Sequence, residues 1–256
     1  MARILINSIV LYLVAFIYDV NGKLSNKLVG GHNIHITSQP FQVSVRIYDN
    51  HHLCGGSIIT PLHILTSASC VTSDVNIIYG NLKVLSGTSD GNNFNNFGTL
   101  SDVALVMIHH GYSPRDFWAN DISILKLTES LYFSHTRGQI NSPEALLTQA
   151  FSLQMIGFKS SNGRVSRMPV LSIKRFHCKK IFGAYGFMTL GQSCIKPTKE
   201  TDEIHEGDGG NPVLSISSGS FIGIVSLITV SPNDPTVITE LFGYYDKWMK
   251  PITEKF

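Results

Sequence analysis

Short runs of apolar or alternating residues recur along this chain, and Gly, Pro, Asn, Asp and Ser separate them. Residues 41–47 (FQVSVRI) alternate between apolar and polar side chains, which is the pattern of a half-buried strand. Further runs of strand length are 57–60, 63–66, 103–108, 122–127, 152–156, 213–216 and 221–230. Short strands separated by turn residues predict an all-β barrel or sandwich. Near the end of the chain, Tyr244, Tyr245, Trp248 and Met249 are spaced for one face of a short amphipathic helix.

The composition is that of a folded chain with a sizeable core. Of the 256 residues, 43% are hydrophobic and 15% are charged, against about 25% charged in an average soluble domain. This length permits one large domain or two small ones, and the composition is a poor fit to disorder or coiled coil. The net charge of +2, without a basic block, gives no electrostatic basis for nucleic-acid binding.

The first 22 residues have the pattern of a secretory signal peptide. Arg3 gives a positive start, residues 4–18 are almost wholly apolar, and the chain turns polar over residues 19–22. A membrane anchor is the alternative, but a bilayer needs about 20 apolar residues, and Asn7 and Ser8 interrupt this run. We therefore expect cleavage after Gly22, a secreted and extracellular protein, and no membrane association.

Four cysteines in a secreted chain indicate two disulfides, for which three pairings are possible. Cys54 and Cys70 lie sixteen residues apart, as do Cys178 and Cys194, so pairing of neighbours would close one loop in each half. A zinc site is the rival interpretation, but it lacks paired C-x-x-C or H-x-x-x-H spacing.

Seven motifs occur in the order in which trypsin-like serine proteases carry them. They are LVGG (28–31), CGGSII (54–59), LTSASC (65–70), NDISILKL (120–127), GDGGNP (207–212), GIVS (223–226) and YYDKWM (244–249). Each motif alone is weak, but the ordered set is specific, and the resemblance covers nearly all of residues 28–256. The chain thus resembles the trypsin-like, or chymotrypsin-fold, serine proteases.

The resemblance implies a fold and a domain organisation. The fold is all-β, with two packed antiparallel six-stranded β-barrels and a short C-terminal helix. A signal peptide (1–22) and a short propeptide (23–27) would precede one protease-like domain (28–256), whose two barrels would meet near residues 130–145. The resemblance also implies the disulfides Cys54–Cys70 and Cys178–Cys194, and the third pair of the family is missing.

Two of the three catalytic positions implied by the resemblance carry residues that cannot perform the chemistry. The family places its histidine base directly before the second cysteine, where this chain has Ser69, and its nucleophilic serine in G-D-S-G-G-P, where this chain has Gly209. The carboxylate is retained as Asp121, and the oxyanion-hole positions are Gly207 and Gly209. Glycine has no nucleophile, and a serine hydroxyl does not take up a proton near pH 7 as histidine does. The sequence therefore predicts a catalytically inactive homologue.

The specificity pocket implied by the resemblance also departs from the family. Its base position is Glu203, an acidic residue where an aspartate in the family selects Lys or Arg. The wall positions are Leu227 and Ile228, and Thr236 replaces the glycine at the entrance. Branched side chains where glycine leaves space are expected to narrow or block the pocket.

The activation switch of the family is retained in outline. Cleavage after Lys27 would free the amino group of Leu28, which in the family inserts beside the aspartate that precedes the nucleophile, here Asp208. The alternative is that Lys27 is a polar linker residue and Asp208 a loop carboxylate.

These observations predict a secreted, inactive serine protease homologue that binds proteins through the loops around its former cleft. By resemblance, it would be a regulator or cofactor in an extracellular proteolytic, immune or reproductive pathway. Its partners would be extracellular proteins, including active proteases or their substrates. An endopeptidase with an atypical site that prefers basic residues, and a storage or structural secretory protein, are the alternatives. We expect no cofactor, metal, nucleic acid or membrane partner.

Overall fold

The computed structural model describes residues 28–47, 50–74, 77–93, 98–143, 152–182, 188–226, 228 and 234–256. The predicted signal peptide (1–22), the segment 23–27 with Lys27, and the pocket residue Leu227 lie outside these residues.

An antiparallel barrel forms the first half of the chain. The strands up to residue 127 are β1 (His32–Asn33), β2 (Gln42–Ile47), β3 (His51–Thr60), β4 (His63–Thr66), β5 (Thr72–Asp74), β6 (Ile77–Ile78), β7 (Lys83–Ser86), β8 (Thr99–Ile108) and β9 (Ser123–Leu127). Six of them close in the order β2-β3-β4-β9-β8-β7, and β2 pairs with β7 through Val45 and Val84 to complete the ring. Strands β5 and β6 form a separate hairpin beside this barrel.

A second barrel follows. Its strands are β10 (Ser152–Phe158), β11 (Val165–Ile173), β12 (Gln192–Pro197), β13 (Pro212–Ser215), β14 (Phe221–Val225) and β15 (Thr236–Glu240). They run in the order β11-β10-β13-β14-β15-β12, the pairing of β11 with β12 closes the ring, and β1 adds to the outer edge of β11. The prediction of two antiparallel six-stranded barrels is confirmed. Strand β14 ends at Val225, earlier than the apolar run 221–230 suggests.

The polar face of β2 is buried, although its alternating sequence predicts a half-buried strand. All six residues of Gln42–Ile47 are buried. Val43 and Val45 belong to the apolar core, whereas Gln42 contacts Asn211 of the second barrel and Ser44 contacts His52. Partners from both halves of the chain therefore cover the face that alternation alone would leave in water.

Short helices complete the fold. They are α1 (Ala68–Val71), α2 (Arg175–Phe182), α3 (Phe242–Tyr244) and α4 (Lys250–Lys255), with 3₁₀ turns at Ile36–Ser38 and Glu206–Asp208. A π-helical turn (Tyr245–Met249) joins α3 to α4, so the predicted C-terminal helix is confirmed, and Trp248 and Met249 are its buried residues. Within the described part of the chain, none of the helices is long and apolar enough to span a membrane.

Two disulfides fix the helices to the barrels. Cys54 of β3 is bonded to Cys70 of α1, and Cys178 of α2 is bonded to Cys194 of β12. The second bond lies in a small apolar cluster with Phe117, Phe182, Met188 and Val237. This is the pairing that the resemblance implies, and it leaves no cysteine free.

Candidate functional site

Ser69 and Asp121 are brought together by two neighbouring strands of the first barrel. Strands β4 and β9 pair antiparallel, with Thr66 opposite Ser123, so the end of one strand meets the start of the other. Ser69 lies in α1, directly after β4, and its hydroxyl donates to Oδ2 of Asp121 at 2.8 Å. Its backbone nitrogen donates to Oδ1 of the same carboxylate at 2.7 Å. Both oxygens of Asp121 thus bind the residue at the implied base position.

The Asp121 carboxylate is fully buried and accepts hydrogen bonds from both barrels. Ser226, which follows β14 of the second barrel, donates its hydroxyl to Oδ2 at 2.6 Å. The Thr239 hydroxyl of β15 donates to the backbone carbonyl of Asp121 at 3.0 Å. Burial raises the pKa of Asp121, because the charged form is removed from water, while the hydrogen bonds from Ser226 and Ser69 act against this rise.

Gly209 lies against the disulfide of the first barrel. A Cβ atom placed on Gly209 would lie 2.8 Å from Sγ of Cys70 and 3.5 Å from the hydroxyl of Ser67. The hydroxyl oxygens of Ser67 and Ser69 lie 3.2 Å apart. The structure therefore brings the implied nucleophile, base and carboxylate positions into one site, with no side chain at the first of them.

The backbone of the implied oxyanion hole is engaged within the protein. Residues Glu206–Asp208 form a 3₁₀ turn, in which the Gly209 nitrogen donates to the Glu206 carbonyl at 3.5 Å. The carbonyl of Gly207 accepts a hydrogen bond from Nε2 of His52 at 2.9 Å. An oxyanion hole requires donors that are directed at the developing charge. The contact of the Gly209 N–H with the Glu206 carbonyl is weak, because 3.5 Å is longer than the usual range of about 2.7–3.2 Å for an N–H···O hydrogen bond.

Leu28 and Asp208 meet in the interior of the second barrel. The Leu28 nitrogen donates to Oδ1 of Asp208 at 3.1 Å, and both residues are fully buried. Oδ2 of Asp208 accepts from the His205 nitrogen at 2.9 Å. The Leu28 carbonyl accepts from the Ser160 nitrogen, and Val29 pairs with Glu203. The Leu28 nitrogen is a neutral backbone amide in this uncleaved chain, so the pairing of a free Leu28 ammonium with Asp208 after cleavage stays a prediction.

The three implied pocket residues that the structure describes, Glu203, Ile228 and Thr236, have different surroundings. Glu203 is exposed, and its carboxylate lies 3.0 Å from Nε2 of His205. Thr236 is buried at the start of β15, opposite Ile195. Ile228 packs against the core of the second barrel. The acidic side chain at the implied pocket base therefore pairs with a neighbouring histidine.

Sequence reasoning missed several residues that hold this site. His52 bonds Ser44 through Nδ1 at 2.7 Å and the Gly207 carbonyl through Nε2, which joins β3 to the 203–211 segment. Asn211 bonds Asp208 and Gln42. No motif identifies the His52–Gly207 and Gln42–Asn211 contacts, because in each the two residues are more than 150 positions apart in sequence and meet through tertiary structure.

The chemistry available at this site is limited. The hydroxyls of Ser67 and Ser69 are present, but no imidazole bonds either of them in the described residues. A hydroxyl needs a neighbouring base to act as a nucleophile at neutral pH. The described residues also hold no group of three or more His, Cys, Asp or Glu side chains arranged for a metal ion. The arrangement is a buried carboxylate surrounded by serine hydroxyls.

Comparison with known proteins agrees with the fold. The Trypsin family model matches residues 28–249. Relatives include trypsin delta of Drosophila erecta, 29% identical over 211 residues, with 80% of this chain and 79% of the relative covered. Trypsin alpha-4 of Lucilia cuprina is 30% identical over 210 residues, covering 80% and 78%, and trypsin I-P1 of Gallus gallus is 26% identical over 254 residues, covering 94% and 96%. The chain therefore belongs to the trypsin family of serine proteases.

Proposed function

We propose that this protein is a secreted, catalytically inactive member of the trypsin family that acts by binding other extracellular proteins. It works as a regulator or cofactor in an extracellular proteolytic, immune or reproductive pathway. Its partners are active proteases or their substrates, which contact the loops around the former cleft.

The contact between Ser69 and Asp121 is the observation that supports this proposal most. In a working triad the carboxylate orients an imidazole, which takes the proton of the nucleophile. Here the carboxylate accepts from the hydroxyl and the nitrogen of Ser69, and Gly209 lies beside them without a side chain.

Labelling with a fluorophosphonate tests the absence of catalysis. Such probes react with an activated serine, so the protein cleaved after Lys27 is expected to remain unlabelled, while an active trypsin at equal concentration is labelled fully. Stoichiometric covalent labelling would overturn the proposal. It would favour the alternative of an endopeptidase with an atypical site, for which the acidic Glu203 suggests a preference for basic residues.

The binding role is tested by capture of partners from native extracellular fluid. Trp118 lies in the loop that leads through Asp121 into β9, whereas Tyr132 follows the opposite end of that strand and is 82% exposed. Trp118→Ala is expected to reduce capture of a specific partner roughly tenfold, as loss of an aromatic contact at an interface does. Tyr132→Ala is the matched control. Equal capture by both variants and the parent would place the binding surface elsewhere, and capture of no partner would favour a storage role.

A further inference from the structure

Asn211 is a buried side chain that connects the two barrels through hydrogen bonds. Its Nδ2 donates to Oδ1 of Asp208 at 2.9 Å, and its Oδ1 accepts from Nε2 of Gln42 at 3.0 Å. Asn211 and Asp208 are fully buried, and Gln42 is 1% exposed. A polar chain therefore runs from β2 of the first barrel to the Asp208 carboxylate of the second.

The surrounding backbone leaves space for this amide. A Cβ atom on Gly55 would lie 1.7 Å from Oδ1 of Asn211, and one on Gly157 would lie 2.4 Å from its Nδ2. Both distances are far below any real contact, so the two glycines are needed for the side chain to fit. The motif that the resemblance rests on has glycine at this point, G-D-S-G-G-P, where this chain reads GDGGNP. Asn211 thus departs from the family motif, and Gly55 and Gly157 leave the space for its side chain.

The Asp208 carboxylate has donors that do not depend on proteolysis. A buried carboxylate is costly unless hydrogen bonds or an opposite charge compensate it. The Leu28 nitrogen would be charged only after cleavage at Lys27, but Asn211 Nδ2 and the His205 nitrogen are neutral donors that the chain carries in either form.

We propose that Asn211 is a built-in clamp that holds residues 203–211 in the observed conformation before, as well as after, cleavage at Lys27. Proteolysis would then change this segment little, and the surface that the segment contributes would be available in the uncleaved protein. The inference deepens the proposed function and rests on it, because residues 203–211 border the former cleft.

Amide hydrogen exchange of the parent protein is the first test. The full chain and a form that begins at Leu28 are compared, and protection of peptides covering 203–211 is expected to agree within roughly threefold. A loss of protection of roughly tenfold or more in the uncleaved form would overturn the proposal without any substitution.

Two substitutions assign the effect to the amide. Asn211→Gly restores the residue of the family motif, and Asn211→Leu keeps most of the side-chain volume without the hydrogen bonds. Each is expected to lower protection of 203–211 by roughly tenfold or more in the uncleaved form, and by much less in the cleaved form, because the Leu28 ammonium then compensates Asp208. Equal losses in both forms, or none, would contradict the clamp.

Gln192→Leu is the matched control. Gln192 is also a buried amide of the second barrel, but its Nε2 donates to the carbonyls of Phe117 and Trp118, away from Asp208. It is expected to leave the exchange of 203–211 unchanged. Fluorophosphonate labelling and partner capture do not measure this exchange, so failure of the clamp and failure of the proposed function give separate results.

Discussion

The hydroxyl of Ser69 donates to Oδ2 of Asp121 at 2.8 Å, on the same carboxylate oxygen that Ser226 reaches at 2.6 Å. Asp121 is fully buried, and its carboxylate would be costly in this place without donors. Two serine hydroxyls and the Ser69 nitrogen supply them. Ser69, which stands at the position of the family's histidine base, thus donates hydrogen bonds to Asp121. These bonds stabilise the buried carboxylate although no imidazole is present at that position.

Gly209→Ser alone is expected to restore no protease activity. The new hydroxyl has no base to take its proton, since Ser69 occupies the implied base position, and its Cβ would lie 2.8 Å from Sγ of Cys70. Triads that lack a member retain roughly 10³–10⁴-fold over water, which is orders of magnitude below a working enzyme. The measurement is hydrolysis of Lys and Arg amide substrates after cleavage at Lys27, with Ser69→His/Gly209→Ser as the comparison. Ordinary protease rates from the single substitution would show that Ser69 is not at the base position.

Ser226→Ala is expected to lower the free energy of unfolding by about 1.5–3 kcal/mol, because it removes a hydrogen bond to a buried carboxylate. Ser57→Ala is the matched control, since Ser57 is fully buried and its hydroxyl has no hydrogen-bond partner among the residues that the structure describes. Denaturant unfolding of both variants and the parent measures the difference. Equal losses for the two alanines would mean that the Ser226 contact contributes no more than any buried hydroxyl.

Individual strands were predictable from the sequence where apolar and polar residues alternate, whereas the two-barrel fold was implied by the resemblance. Residues 41–47 indicated β2, but β11 (Val165–Ile173) gave no such signal, because Pro169 cannot donate to a strand ladder and Arg167 interrupts the apolar pattern. Burial of both faces of β2 was also not predictable, because it depends on tertiary contacts of the polar side chains, such as those of Gln42 with Asn211 and Ser44 with His52.

The site was predictable where a residue stands within a motif. Ser69, Asp121 and Gly209 follow from their neighbours in sequence, and the structure places them together. Asn211 also lies within a motif, yet its role could not be anticipated, because Gln42 lies 169 residues away and reaches it through tertiary structure. The contact of the Gly209 nitrogen with the Glu206 carbonyl depends on the local backbone conformation, which the identities of the residues do not specify.

Tyr244→Phe is expected to reduce the loss of stability at alkaline pH. Burial raises the pKa of Tyr244 to about 12, and the negative charge of Asp121 adds to the rise. The unfolded phenol ionises near pH 10, so the contribution of the folded phenol is complete below pH 10 and is lost as the pH rises towards 12.

Melting temperatures of the parent and the variant between pH 9 and 11.5 measure this effect, and the parent is expected to fall more steeply. The variant also loses the hydrogen bond from the Tyr244 hydroxyl to Asn120 at 2.9 Å. This loss lowers its melting temperature by the same amount at every pH and leaves the pH dependence unchanged. Tyr132→Phe, at a residue that is 82% exposed, is the control and should follow the parent. Parallel curves for Tyr244→Phe and the parent would show that this phenol ionises alike in both states.

Asp121→Asn is expected to change how stability depends on acidity. Burial raises the pKa of Asp121 above its ordinary value near 3.8, so between that value and the raised pKa the folded state holds a proton that the unfolded state has released. The stabilisation that Asp121 contributes to the folded state is therefore complete below about pH 4 and is lost as the pH rises through the folded pKa.

Asparagine does not titrate, so the melting temperature of the Asp121→Asn variant should rise relative to that of the parent as the pH increases from about 4. Ser57→Ala, which removes a buried hydroxyl and leaves every titratable group in place, is the control and should run parallel to the parent in this window. A difference between Asp121→Asn and the parent that stays constant, or shrinks with rising pH, would mean that hydrogen bonds from Ser226 and Ser69 outweigh burial at this carboxylate.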